Sequence, residues 1–223
     1  KTAYVDTSDT HTAVYAISGM KKSICVFMPT IYCLARAGEN MLLTDPKGEL
    51  YDRTSGYLKS QGYKVICLDF RSLDKDALNI LEYPARVYRQ FDTDKGLMML
   101  SDIVNTLAEE QRRRAKDPFW PDTGAQWCNA TGSLMFDSYP KIEQINILNW
   151  SDYNNWESAK RIEKLLPFIL DGNTVKKALK ETVLSADNTL RSILITASSF
   201  LSMFNQNNKL ARMLSHSTFH LEP

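Results

Sequence analysis

The segment from Asn40 to Tyr51 limits the possible folds of this chain more than any other. Its apolar part, Met41 to Thr44, predicts a short buried strand, which Pro46 ends because proline has no backbone N–H to donate. Gly48 then permits a sharp turn into a helix. In open α/β sheets ligands bind just beyond the carboxyl ends of the strands, so this turn predicts the edge of an active site. The turn carries three charged candidates, Asp45, Lys47 and Glu49.

A second motif lies upstream, after a β-branched and aromatic run at 12–17 that predicts a strand. Residues 16–23 are similar to a P-loop, G-x-x-x-x-G-K-[S/T], whose backbone wraps phosphates while its lysine and hydroxyl reach the terminal phosphates and Mg²⁺. Lys22 and Ser23 occupy the lysine and hydroxyl positions. Ala16 and Lys21 replace the two glycines, and Gly19 lies inside the loop. Two interpretations stay open, a phosphate cradle or a basic helix start that follows a strand.

The predicted elements of the first third alternate, with strands near 12–17, 40–44 and 64–70 and helices near 22–36 and 49–60. Gly38 and Gly62 follow the two helices at the position that favours left-handed backbone. Because one helix separates each pair of strands, the right-handed crossover rule predicts a parallel sheet. Residues 1–70 therefore predict half of a nucleotide-binding α/β domain.

Beyond Arg71 the apolar residues recur at helical spacing. One of these amphipathic helices ends in a charged cluster that contains Glu109, Glu110, Arg112, Arg113, Arg114 and Lys116. A solvated helix terminus and a nucleic-acid contact both explain this cluster, and the first needs fewer assumptions. The formal net charge of +1 gives no global basic field, so any contact with nucleic acid must be local.

Composition sets three further limits on the function. The 223 residues, of which 43% are apolar, are sufficient for a packed core. No apolar run approaches the ~20 residues that span a bilayer, which predicts a soluble chain. The four cysteines lack the spacing of metal ligands, and Cys25, Cys33 and Cys67 lie in apolar runs that predict buried thiols.

Short motifs follow one another along almost the whole chain. They are Thr10 to Thr12, Pro29, Thr44 to Leu50, Gly62 to Val65, Leu68 to Phe70, Asn79 to Pro84, Asp117 to Trp120, Arg191 to Ile193 and Phe219 to Leu221. In their order and spacing the chain resembles the coupling proteins of conjugative type IV secretion systems, P-loop ATPases that hand DNA–relaxase complexes to the transfer channel. The turn from Thr44 to Leu50 is the most specific of these motifs.

The resemblance implies an α/β fold, a RecA-like P-loop nucleotide-binding domain with a partial parallel sheet and an inserted all-α domain. Residues 1–116 would form the first part of the RecA-like domain, 117–186 the inserted domain, and 187–223 the return toward the sheet. The chain would be the cytosolic part of such a protein, at the cytoplasmic face of the bacterial cell membrane. Its implied partners are a relaxase with its relaxosome proteins, single-stranded DNA and channel components. The resemblance implies that complete family members would form hexamers, whereas we expect this chain to be monomeric.

The same resemblance implies ATP and Mg²⁺ as cofactors. The catalytic candidates are Lys22, Asp45 and Glu49. The nucleotide-binding candidates are Gly19, Lys22, Ser23 and Lys47, of which Ser23 would also contact Mg²⁺. Two departures from the family pattern predict no turnover by this chain: the altered glycine positions, and the lack of a Walker B strand whose carboxylates hold Mg²⁺ and orient water. Whether the chain is an enzyme therefore stays open.

The alternative belongs to another functional class, a non-catalytic docking module that binds a relaxase or an accessory protein through its helical domain. Exposed aromatic residues would be its signature, and the candidates are Trp120, Trp127, Trp150, Tyr153 and Trp156. Aromatic residues at helical spacing are also typical of a core, so their exposure distinguishes the two interpretations.

Overall fold

A computed structural model describes residues 12–15, 17, 19–169 and 174–221. The chain divides into two compact units, an N-terminal unit over Lys1–Cys67 and a helical unit over Leu68–Pro223. The N-terminal unit contains α1 (Met28–Ala37) and α2 (Glu49–Ser60). The helical unit contains α3 (Glu82–Gln90), α4 (Thr93–Arg114), α5 (Phe119–Ser138), α6 (Ile147–Ser151), α7 (Trp156–Leu165), α8 (Thr174–Val183), α9 (Asp187–Asn205) and α10 (Asn208–Met213). The domain limits that the resemblance implied, after residues 116 and 186, both fall inside the helical unit and stay a prediction.

Both helices of the N-terminal unit end at the predicted glycines. Gly38 and Gly62 have φ angles of 79° and 86°, in the left-handed region that residues with a Cβ avoid. The next backbone N–H donates to the carbonyl five residues earlier, at 3.1 Å after Gly38 and at 3.0 Å after Gly62. These bonds satisfy carbonyls that the end of a helix would leave unpaired. The prediction of the two helices and of their ends is confirmed.

Helices α1 and α2 pack on a small apolar core, whose buried members are Met28, Ile31, Ala35, Leu50 and Leu58. Tyr32 and Tyr57 meet edge to face beside this core, with ring centroids 4.8 Å apart. The Tyr63 hydroxyl donates to the Glu39 carbonyl at 3.0 Å, which ties the segment after α2 to the end of α1. The two helices therefore have neighbouring ends.

The predicted α/β fold with a RecA-like parallel sheet is wrong, because the described residues contain no β-strand. None of the predicted strands forms, because the structure assigns neither helix nor strand to 40–44, to 64–70 or to the described part of 12–17. Met41 and Val65 do pack against the small core, but Leu42 is fully exposed and Ile66 is 40% exposed. An apolar run signals only that some side chains are buried. A strand also needs a neighbour to share its backbone hydrogen bonds, and the run carries no information about that neighbour.

Helix α5 lies at the centre of the helical unit and packs against α4, α8 and α9. Its buried residues occupy every side of the helix, because small residues such as Gly124, Ala130 and Gly132 let the neighbouring helices approach closely. A Cβ added at Gly132 would lie 2.9 Å from Leu100 Cδ2 of α4. The small side chains of α5 thus set the spacing of the bundle.

Two fully buried tryptophans add directional bonds to this core. Trp127 Nε1 donates to Asn154 Oδ1 at 3.0 Å, and Trp150 Nε1 donates to the Thr131 hydroxyl at 3.2 Å. The Asn154 carbonyl also accepts from the Ser198 hydroxyl of α9 at 2.9 Å. Buried polar groups need partners, so these bonds favour one arrangement of α5, α6 and α9 over others.

Helices α3 and α4 make a close contact at Gly96. A Cβ added there would lie 2.5 Å from Tyr88 Cβ and 2.6 Å from the Tyr88 backbone nitrogen. Asp92 begins α4 by accepting the Lys95 N–H at 2.9 Å, as expected of an N-cap aspartate. Gly96 therefore allows α3 and α4 to pack closely, and Asp92 fixes where α4 begins.

The two ends of the helical unit are tied together. The Leu78 N–H donates to the Met213 carbonyl at 2.9 Å, and the Thr218 N–H donates to the Ala77 carbonyl at 3.0 Å. Phe219, next in the chain, is buried. The segment that follows α10 is thereby held against the segment that precedes α3.

A carboxylate in the loop at the start of the helical unit has an unusual acidity. Asp69 Oδ1 accepts the backbone N–H groups of Arg71 and Ser72 at 2.9 and 3.2 Å, and its Oδ2 accepts the Ser72 hydroxyl. These bonds, that of Arg71 foremost, lower the pKa of Asp69 to about 2 because they stabilise the ionised carboxylate.

The cysteines occupy three different environments. Cys25 and Cys33 are exposed, so the prediction that they are buried thiols is wrong for both, and Cys67 is partly buried. The buried stripe of α1 begins at Met28 and continues three and seven residues later, which leaves Cys33 on the outer face. Cys128 is buried in α5, and burial raises the pKa of its thiol to about 12.

Candidate functional site

The loop before α1 contains two residues with left-handed backbone. Gly19 has a φ of 88° and Lys21 a φ of 57°, and Met20 between them is 67% exposed. Left-handed backbone at a residue with a Cβ costs roughly 1–2 kcal/mol, and such strain is concentrated at functional sites. The chain then enters a π-helical turn, Ser23–Phe27, of a kind that is also frequent at functional sites. Ala16, the other glycine replacement, lies outside the described residues.

Lys22 lies at the junction of this loop and the π-helical turn. Its side chain is partly buried, and its Nζ donates to the Ile17 carbonyl at 3.2 Å. The ammonium group therefore folds back toward the beginning of the loop that contains Gly19 and Lys21.

The turn before α2 is organised by Asp45. One carboxylate oxygen, Oδ2, accepts the backbone N–H groups of Leu50 at 2.8 Å and of Tyr51 at 2.9 Å. Gly48 has a φ of 79° and its N–H donates to the Asp45 carbonyl at 3.2 Å. An anion at the N-terminus of a helix satisfies unpaired N–H groups and is stabilised by the helix dipole. Asp45 thus determines where α2 begins.

The two motifs singled out in the sequence meet at one contact. The Ser23 hydroxyl donates to Glu49 Oε1 at 2.5 Å, across 26 positions of the chain. Both side chains are partly buried, and Glu49 is the first residue of α2, so the Asp45 cap fixes its position. Mg²⁺ prefers hard oxygen ligands and usually combines one or two carboxylates with phosphate and water. A hydroxyl beside a carboxylate fits a magnesium–phosphate group.

The two other candidates of the turn, Lys47 and Asp45, differ in their surroundings. Lys47 is exposed on the turn, and Asp45 is engaged in the cap of α2. The catalytic and nucleotide-binding roles of these residues stay predictions. Within the described part of the chain no group of three or more His, Cys, Asp or Glu side chains is placed to hold a metal ion. A cation at Ser23 and Glu49 would therefore take its other ligands from phosphate and water.

The candidates for nucleic-acid binding lie where α4 meets α5. Arg112 Nε donates to Asp122 Oδ1 at 2.8 Å, which joins the two helices. Arg113 and Arg114 pair with glutamates one turn earlier on α4. Lys116 is exposed in the connection between the helices. Ion pairs within the protein thus account for the arginines, and a contact with nucleic acid stays a prediction.

The aromatic candidates differ in their exposure. Trp127 and Trp150 are fully buried and Tyr153 and Trp156 are partly buried, whereas Trp120 is 37% exposed. Burial assigns the first two to the core, as their helical spacing also allowed. Of the five proposed surface aromatics, Trp120 is therefore the one that the structure presents to solvent.

Sequence reasoning missed an exposed apolar residue of α9. Ile195 is 71% exposed, while Leu194 and Ala197 beside it are buried. A signal was present, because Ile195 lies outside the buried helical stripe that includes Leu190, Ile193 and Leu201. The contact between Ser23 and Glu49 had no such signal, because only packing brings distant residues together.

A model of the family described as type IV secretory system conjugative DNA transfer matches residues 2–223. The chain belongs to this family. It therefore takes part in conjugative DNA transfer by type IV secretion, a membrane-associated bacterial machinery. The resemblance inferred from the motifs is confirmed, although the sheet that it implied is absent from the described residues. Comparisons with curated proteins and with solved structures give no significant match.

None of the helices within the described ranges is long and apolar enough to cross a membrane.

Proposed function

We propose that this chain is the cytosolic part of a coupling ATPase for conjugative transfer, located at the cytoplasmic face of the cell membrane. Its N-terminal unit binds ATP with Mg²⁺, and its helical unit recruits a relaxase with single-stranded DNA. The observation that carries the proposal is the contact between the Ser23 hydroxyl and the Glu49 carboxylate, because it joins the two motifs on which nucleotide binding depends. Membership of the transfer family supports the rest.

The residues around this contact have separate tasks in the proposal. The backbone of the loop at Gly19 and Lys21 faces the phosphates, because left-handed residues turn successive N–H groups toward an anion. Lys22 contributes an ammonium group with three donors. Ser23 and Glu49 hold Mg²⁺, which when bound neutralises charge on the phosphate oxygens.

Asp45 acts in this proposal as a positioning residue. Its two hydrogen bonds fix the first turn of α2, and this turn aims Glu49 at Ser23. The nucleotide would therefore be held by the π-helical turn before α1 and by the beginning of α2. An amide at position 45 keeps one acceptor, so we expect Asp45→Asn to preserve more ATP binding than Asp45→Ala.

Lys21 limits the affinity of the proposed site. Its Cβ and long side chain stand where close approach of a phosphate needs open backbone, and its φ of 57° is strained for a residue with a Cβ. Lys21→Gly removes both obstacles. We expect this variant to bind ATP–Mg²⁺ more tightly than the natural chain, and an equal or weaker affinity would contradict this role.

Calorimetric titration with ATP–Mg²⁺ tests the nucleotide site. Lys22→Ala and Ser23→Ala should weaken binding about tenfold or more, since each removes a polar ligand group. Lys59→Ala and Ser60→Ala make the same changes at exposed positions in the last turn of α2 and should leave the affinity unchanged. Absence of binding by the natural chain, or equal behaviour of site and control variants, would overturn the nucleotide proposal.

The docking module without catalysis is the second candidate, and Trp120 favours it. This indole is exposed beside a groove of the helical unit rather than packed in the core. Transfer frequency in a mating assay separates the candidates when Lys22→Ala is introduced into the whole protein. Undiminished transfer would favour the docking module, and loss of transfer would favour the ATPase.

A further inference from the structure

A groove in the helical unit lies between the α4–α5 connection and α9 and has a volume of about 470 Å³. Apolar and basic side chains line it together. The lining residues that matter most are Arg114, Lys116, Trp120, Pro121, Ile195 and Ser199. The groove lies within one unit, and the N-terminal unit contributes none of these residues.

The walls of the groove are apolar and open to solvent. Trp120 of α5 is 37% exposed and Ile195 of α9 is 71% exposed. Phe119, itself half exposed, meets the Trp120 ring edge to face with centroids 5.1 Å apart and extends this apolar surface. A single exposed apolar side chain is ordinary, whereas several that share one concavity with a charged rim indicate an interaction site.

The rim of the groove is basic. Arg114 pairs with Glu110 on its own helix, but both side chains are more than 70% exposed, at 73% and 71%. Such an exposed pair contributes little, so the guanidinium can exchange its partner for a ligand carboxylate. Lys116 is exposed next to it. Asp117 also lines the groove, but one of its oxygens accepts the Phe119 N–H at 2.9 Å.

The hydroxyl groups of the groove already have partners. Thr196 Oγ1 donates to the Ser192 carbonyl at 2.9 Å, and Ser199 Oγ donates to the Thr196 carbonyl at 2.6 Å. Neither hydroxyl needs a ligand to satisfy its donor. The apolar walls and the basic rim therefore determine which ligand fits.

We propose that this groove binds a peptide segment of a partner protein that presents an apolar side chain beside carboxylates. The apolar side chain packs between Trp120 and Ile195, and the carboxylates pair with Arg114 and Lys116. This inference rests on the proposed role of the helical unit in recruiting the transferred complex. It adds the place of binding and the chemistry of the recruited segment.

Nucleic acid fits the groove less well. Binding of a phosphodiester backbone depends on several cations that release counterions together. Arg112 and Arg113 are not among the residues that line the groove, and Arg112 pairs with Asp122 of α5. Among the lining residues the cations are Arg114 and Lys116. Two cations can pair with one or two carboxylates, but they are too few for a phosphodiester backbone.

Selection of peptides on the full chain tests the proposal. Short random peptides displayed on phage are selected, synthesised and titrated by fluorescence anisotropy. Ile195→Asp removes the apolar wall, and Lys116→Glu reverses a charge of the rim. Met98→Asp, at a position of α4 that is 68% exposed, and Lys141→Glu are the matched controls. Circular dichroism verifies the fold of each variant, and an oligothymidylate is titrated in parallel.

We expect the selected peptides to contain an apolar residue next to Asp or Glu. Each groove variant should weaken their binding about tenfold or more, while the control variants bind as the natural chain does. The proposal is overturned if no such sequence is enriched, if the groove variants behave like the controls, or if the oligothymidylate competes with the peptides.

Two further measurements keep the groove and the proposed function apart. ATP–Mg²⁺ binding should be unchanged in Ile195→Asp, so a failure of nucleotide binding in the natural chain bears on the proposed function alone. If the peptides bind in the groove but Ile195→Asp in the whole protein leaves mating unaffected, the groove stands as a binding site and its role in recruitment is overturned.

Discussion

Replacement of Asp45 by alanine tests whether this carboxylate organises the start of α2. The side chain accepts two backbone N–H groups, at 2.8 and 2.9 Å. A capping side chain stabilises a helix by about 0.5–2 kcal/mol, and a negative charge at the N-terminus adds about 0.3–1 kcal/mol. Because Asp45 is partly buried and serves two donors, we expect Asp45→Ala to lower the free energy of unfolding of the N-terminal unit by about 2 kcal/mol.

Two companion variants separate the contributions of the cap and of the charge. Asp52→Ala removes the same charge from the first turn of α2 at an exposed position without removing the cap, so we expect about 0.5 kcal/mol. Asp45→Asn keeps an acceptor oxygen and loses the charge, so its effect should be about 1 kcal/mol. If the two hydrogen bonds of Asp45 stabilise α2, the loss of stability should be largest for Asp45→Ala, intermediate for Asp45→Asn and smallest for Asp52→Ala.

Amide hydrogen exchange in α2 is the appropriate measurement. All four tryptophans lie in the helical unit, so their fluorescence reports on that unit and should not respond to these variants. A loss of about 2 kcal/mol accelerates exchange through opening of the N-terminal unit about thirtyfold. Exchange rates in Asp45→Ala and Asp52→Ala that agree within about threefold would refute the assignment of Asp45 as the cap.

Three other predictions concern the helical unit and the thiols. Gly96→Ala would place a Cβ 2.5 Å from that of Tyr88, so we expect a loss of about 3 kcal/mol in urea denaturation followed by tryptophan fluorescence; an unchanged midpoint would contradict this close contact. Asp69, with its pKa lowered from 3.8 to about 2, stabilises the fold above about pH 4 and loses that contribution as the pH falls toward 2, so Asp69→Asn should flatten the pH dependence of stability in this window. Cys128 should resist thiol reagents until the protein unfolds, whereas Cys25 should react at once; labelling of native Cys128 would contradict its burial.

The parts of the fold that could be predicted depend on local chemistry. The start of α2 follows from Gly48 and the residues around it, and its end follows from Gly62, because capping is decided within a few positions. The predicted strands failed for the opposite reason. A run such as Val65 to Leu68 indicates that apolar side chains are buried. Whether it forms a strand depends on a second segment, elsewhere in the chain, that shares its backbone hydrogen bonds.

The same distinction applies to the candidate site. Ser23 and Glu49 were each predicted from a short motif, yet their hydrogen bond depends on how α1 and α2 pack, which no spacing along the chain records. The exposure of the tryptophans could not be predicted from the sequence either. Trp120 and Trp127 both lie on α5, and only the position of the neighbouring helices leaves one indole in solvent and encloses the other.

The bonds that join Ala77 and Leu78 to the end of the helical unit have a mechanical consequence. Tension applied between the chain before Ala77 and the chain after Thr218 falls first on the Leu78–Met213 and Thr218–Ala77 hydrogen bonds. The helices between these points lie outside the load path until those bonds rupture. A pull on these two points therefore leaves α3 to α10 unstretched until the hydrogen bonds break.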